Sequence, residues 1–234
     1  SMKVAAELQN ETVFPIATSR PEVYTITGCW VNQATDEWTI GFFENFAVYQ
    51  CRFWDYESIQ IKKDETVVKL KNNTTRLTLS LKHKNRASCN IAFGKDNPQK
   101  YILCNGKHLP DYPLTDTTPF IDNGYRTDSV TLTGYLRNPP SSRPFDVSIP
   151  DMITGKEEKY QTDIDSLGRF TLRFPVLNSH NVFIDWGRTT IWSAVEPGET
   201  YFLYVDYAQQ QKLFMGKKAR VLNELLSHVG LTES

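Results

Sequence analysis

At 234 residues, with 27 acidic and 26 basic side chains, the chain can bury one large core or two cores of about 100 residues each. Its charge is too evenly balanced for a nucleic-acid footprint or a polybasic membrane patch, so we expect no nucleic-acid partner. No run approaches the roughly 18 apolar residues that cross a bilayer as a helix, and an aromatic fraction of 12% with 12 Gly and 12 Pro favours an all-β chain cut by many turns.

Residues 1–24 are expected to be an N-terminal extension. Ser1-Met2 reads as a pair left by tagging, and "SMKVAAELQ" lacks the apolar core of a signal peptide, so an export signal is expected ahead of this segment in the natural chain.

Residues 25–104 are expected to form a barrel-like, aromatic-rich β domain. Its opening, "GCWVNQATDEWTIGFFENFAVYQCRFWDYESI", gathers Trp30, Trp38 and Trp54 with six Phe and Tyr rings. Rings at this density either fill the interior of a small β domain or line a ligand pocket or sugar-stacking platform, in which case the three tryptophans would be the binding residues. Gly28-Cys29-Trp30 also resembles the glycine-x-tryptophan opening of lipocalin-like barrels, where the indole closes the floor. Further on, Val68-Leu70 and Leu77-Leu79-Leu81 alternate with polar residues, the period of a strand with one face inward.

All four cysteines, Cys29, Cys51, Cys89 and Cys104, fall in this domain, and no two make a C-x-x-C. Zinc and dithiol-redox sites therefore lack their usual spacing. Buried thiols and structural disulfides both remain open, with Cys29 and Cys51 as the candidate pair on neighbouring strands.

Residues 105–127, "NGKHLPDYPLTDTTPFIDNGYRT", hold three prolines and two glycines without periodicity and are expected to be a linker. Residues 128–207 are expected to form an antiparallel β-sandwich, with strands such as "FTLRF" separated by Ser166-Leu167-Gly168 and Glu196-Pro197-Gly198 turns. In "TDIDSLGRF", Asp163, Asp165 and Gly168 match part of a calcium loop, but Leu167 and Phe174 stand where oxygen ligands are required, and a glycine hairpin explains the same letters. Residues 208–234 should carry a short α-helix. Ala219, Leu222, Leu225, Leu226 and Val229 share one face, while Lys217, Lys218, Arg220, Asn223 and Glu224 fill the other. A lone helix of this length is marginal in water, so Leu222, Leu225, Leu226 and Val229 must dock on this chain's own sheet or on a neighbour, and we expect them to form an interface toward a downstream domain.

No nucleophile elbow, phosphate-binding glycine loop, dinucleotide fingerprint or paired-histidine metal motif occurs, and the four histidines are scattered. We expect no catalytic residue, metal or cofactor in these residues.

In order, "VTLTGYLRN", "YQTDIDSLGRFTLRFPV", "AVEPGETYFLYVDY" and "FMGKKARVLNELL" resemble the N-terminal region of the TlpA-like thiol-disulfide reductases exported by Gram-negative anaerobic bacteria. The resemblance implies a β-sandwich followed by a helix that leads into a thioredoxin domain with a C-x-x-C active site. That domain is missing from this sequence, and all four cysteines lie upstream of the matched stretch, so no catalytic cysteine carries over. It further implies a periplasmic or envelope-attached protein. These residues would then be a non-catalytic accessory region that positions a downstream thioredoxin domain, binds protein clients or forms a homodimer. A glycan- or small-ligand-binding module built on the aromatic cluster is the alternative.

Overall fold

The computed structural model describes residues 26–104, 128–150 and 154–228. The expected N-terminal extension over 1–24, the linker over 105–127 and Val229 lie outside them.

Eight antiparallel strands, each paired with the next, close into a barrel: β1 (Gly28–Asn32), β2 (Ile40–Phe42), β3 (Phe46–Tyr49), β4 (Arg52–Ile61), β5 (Thr66–Asn72), β6 (Thr75–Asn85), β7 (Ser88–Phe93) and β8 (Gln99–Cys104). Closure comes from β1 pairing with β8 over Cys29↔Cys104 to Asn32↔Tyr101. The period of two that marked these strands puts Val68, Leu70, Leu79, Leu81 and Ile91 in the interior with Trp30, Trp54 and Phe42. At one end Ile26 and Trp30 fill the space, and the Trp30 indole N–H donates to the Ile26 carbonyl at 2.9 Å. Here Gly28 is required, because it sits at φ 133° and a Cβ would run into the Leu103 side chain.

The barrel's outer surface has two characters. On β4, β5 and β6 the outward positions are exposed and charged, as at Asp55, Glu57, Lys69 and Arg76. On β1 and β3 they are Cys29, Val31, Phe46 and Val48, all buried. Strands buried on both faces read as near-continuous apolar runs, and the second module is what covers them.

That module is a sandwich. One sheet has the order β11 (Glu157–Thr162), β10 (Phe145–Pro150), β13 (His180–Trp186), β14 (Thr189–Val195). The other runs β12 (Arg169–Val176), β9 (Asp128–Arg137), β15 (Thr200–Asp206), β16 (Gln211–Met215). All pairings are antiparallel except β15 with β9, which is parallel. Strand β16 lies within 208–234, a span the sequence assigned to the helical segment, and it completes the second sheet. Val130, Leu132 and Leu136 of β9 face the sandwich interior with Phe170, Phe174, Phe145 and Trp186. At Gly134 a Cβ would collide with the Phe170 ring and stand 2.8 Å from the Leu203 carbonyl oxygen, so glycine permits the close strand approach.

Helix α1 (Ala219–His228) packs on β16 and β14. Ala219 and Leu222 are buried in the sandwich core and Leu226 packs partly against it. The choice between own sheet and neighbour therefore falls on the chain's own sheet for Leu222 and Leu226.

Candidate functional site

The most elaborate feature of the molecule is the seam where barrel and sandwich meet. Alternation along β9 and β15 sends Thr133, Tyr135 and Arg137, with their parallel register partners Phe202, Tyr204 and Asp206, to the face opposite the sandwich core. That face lies against β1–β3. Phe43 meets Tyr135, Tyr204 and Phe202 with ring centroids 5.1, 5.0 and 6.0 Å apart, and Phe46 meets Tyr135 at 4.9 Å. Phe42 and Phe43 are adjacent in sequence yet fill different cores, the barrel interior and the seam.

Polar groups close the seam as well. Thr133 Oγ1 donates to the Cys51 carbonyl at 2.8 Å, and Gly216 N donates to the Trp38 carbonyl at 2.9 Å, making a one-residue bridge between the modules. Arg137 joins two carboxylates: Nη2 to Glu44 Oε1 of the barrel at 2.7 Å and Nη1 to Asp206 Oδ2 of the sandwich at 3.2 Å. Asp206 is 1% exposed, and its other oxygen accepts from the Ala208 and Gln209 amides. The Arg169 guanidinium lies over Phe46 and Phe53, 5.4 and 5.3 Å from the ring centroids, and is held there by Asp165 at 2.7 Å.

Clefts open around this body among the described residues. One, of about 430 Å³, lies at the junction and is lined by Glu44, Arg137, Asn138, Ser141, Asp165 and Gly168 among others. A second, about 240 Å³, runs past Cys29, Cys104, Tyr204 and Leu213. A third, about 250 Å³, is at one end of the barrel beside Glu37, Tyr49, Asp96 and Tyr101. In the junction cleft the Arg137 and Asp165 charges are already partnered within the protein.

The residues singled out from sequence are placed as follows. Trp30, Trp38 and Trp54 are 1%, 1% and 8% exposed, so none offers a ring face to a ligand. The ligand-platform reading of these three gives way to core packing: Trp30 and Trp54 fill the barrel and Trp38 the seam. Cys29 and Cys51 are not on neighbouring strands. Cys29 opposes Cys104 across the barrel closure, while Cys51 sits in the β3–β4 turn and its thiol donates to the Thr200 and Met215 carbonyls, each at 3.5 Å. All four thiols are free in this structure. Leu225 is half-buried and Leu222 is buried. Asp165 closes its own hairpin by accepting from the Leu167 and Arg169 amides, the turn reading of that loop. No cluster of three or more His, Cys, Asp and Glu suited to a metal occurs among the described residues.

Burial decides the chemistry of the cysteines. It pushes the thiols of Cys51, Cys89 and Cys104 up to about 12, with Glu199 adding to the effect at Cys51, and it raises Cys29 further with help from Cys104. Nucleophilic cysteines need the opposite shift, because the thiolate is the reactive form.

What sequence reasoning missed is the seam itself: Glu44, Thr133, Arg137 and Gly216 were not singled out as residues that join two modules. The one available signal was the double-sided apolar character of "VTLTGYL" and "YFLYV". No protein-family model matches the chain, and no curated protein matches it either.

Proposed function

We propose that these residues are a non-catalytic accessory region of an exported, periplasmic thiol-disulfide oxidoreductase, a rigid body that positions a downstream thioredoxin domain. The observation that carries positioning is the seam. An apolar, hydrogen-bonded interface between modules suppresses the relative motion that small polar interdomain contacts allow, and a fixed body is what orienting a neighbouring domain requires.

Two further points support the reading. The segments that carry the family resemblance supply β12 and β15, most of β9, the end of β16 and most of α1. All four cysteines are buried, out of reach of a client's sulfur, which favours a redox step carried by cysteines elsewhere. Positioning is favoured over ligand binding because the aromatic cluster that suggested a ligand is spent on two cores.

The test has two arms. Assayed by itself for insulin reduction, the chain is expected to show no turnover above the uncatalysed rate, and the native reading frame beyond Ser234 is expected to encode a C-x-x-C. Reductase activity that vanishes on Cys-to-Ser replacement within this chain, or a frame that ends without such a pair, would overturn the reading.

A further inference from the structure

We propose that Cys29 and Cys104 are a disulfide-forming pair that staples the first strand of the barrel to the last. The two residues are direct register partners in the antiparallel β1–β8 pairing that closes the barrel. Opposed residues in such a pair have Cα atoms about 4.5–5.5 Å apart, inside the range of roughly 4.4–6.8 Å that a disulfide spans. Their side chains share a face, since both belong to the seam core while their neighbours Trp30 and Leu103 turn to the barrel interior.

The other two cysteines differ in a telling way. The Cys51 thiol donates to two backbone carbonyls and the Cys89 thiol to the Asn90 carbonyl. Among the described residues neither the Cys29 nor the Cys104 thiol makes a hydrogen bond, so a bond between them breaks no side-chain hydrogen bond. They sit side by side on the wall of the cleft of about 240 Å³.

The oxidant is a small disulfide of the glutathione class. One cysteine thiolate attacks it, forming a mixed disulfide and releasing one glutathione thiolate. The second cysteine thiolate then attacks the cysteine sulfur of that mixed bond, forming the Cys29–Cys104 link and releasing the second glutathione thiolate. The two protons from the cysteine thiols end on the two glutathione thiols, and the two electrons lost by the protein reduce the glutathione disulfide. Both cysteines are nearly inaccessible once barrel and sandwich have joined, at 2% and 4% exposure. Exchange therefore belongs to folding, before the seam shuts, and the finished bond is shielded from reduction. Closing a loop of roughly 75 residues, it constrains the unfolded chain strongly. The pairing rests on barrel register and holds whatever domain adjoins the chain.

The experiment is to unfold the reduced chain, refold it in a mixed reduced and oxidised glutathione buffer, alkylate the remaining thiols under denaturing conditions and map the peptides. The expected result is a peptide joining Cys29 to Cys104, lighter by two hydrogens, with Cys51 and Cys89 alkylated. The melting temperature should lie about 5 °C or more above that of the reduced protein. Cys104→Ala should lose both the link and the shift, and Cys51→Ala should keep both. Alkylation of all four cysteines in the refolded protein, or a bond joining any other pair, would overturn the proposal.

Discussion

Tyr135 and Cys51 illustrate what the seam does to individual side chains. Burial pushes both up to about 12, from model-compound values of 10.0 and 9.0, with Glu44 and Asp206 adding to the effect at Tyr135 and Arg137 opposing it. The folded state therefore holds protons that the unfolded chain has already released above about pH 9. The stabilisation is complete below the unfolded value and lost as pH climbs toward the folded one. Denaturant titrations under reducing conditions should give an unchanged midpoint from pH 7 to 8 and a loss of about 3 kcal/mol or more by pH 11, since each pKa unit is about 1.4 kcal/mol. An unchanged midpoint at pH 11 would contradict the burial of these groups. At this scale the sequence was informative about Trp30, whose glycine-x-tryptophan setting pointed to a barrel floor. It could not separate Trp38 from Trp54, because alternation marks two faces without saying that both are covered.

Among the elements, α1 and β16 explain each other. Among the described residues, strand β16 is the last in its sheet and pairs only with β15, so one edge needs cover. Asn223 supplies it. Its side-chain oxygen accepts from Phe214 N at 2.7 Å and its amide nitrogen donates to Phe214 O at 2.8 Å, so one side chain stands in for a neighbouring strand. Further along the same strand, Gly216 N is taken by the Trp38 carbonyl. Leu222, expected at an interface, is buried in this chain's own core, while the helix itself was legible from its apolar spacing. Asn223 was not: by its letter it belonged with the charged face, yet it is 2% exposed, while Val221 is 58% exposed. Helical period predicts which residues share a face. It does not predict which polar side chain will be needed by a strand edge. Asn223→Ala leaves two buried backbone groups unpaired and should cost about 2–4 kcal/mol in chemical denaturation. A cost under about 0.5 kcal/mol would show that water replaces the amide and that α1 is only loosely held.

For the whole molecule, the all-β class with a barrel and further sheets was readable from turns, prolines and strand period. What the period could not convey is that the two modules share a core. Phe43, Phe46, Tyr135 and Tyr204 look like the interior residues of separate domains, and only the register of β9 with β15 turns them toward each other. Two independent domains joined by a linker would melt separately; two modules sharing Trp38, Phe43, Cys51 and Tyr135 across one interface should not. Scanning calorimetry of the reduced chain tests this most directly. The seam predicts a single transition with calorimetric and van't Hoff enthalpies in agreement, and two resolved transitions would contradict a rigid barrel–sandwich body and the positioning role built on it.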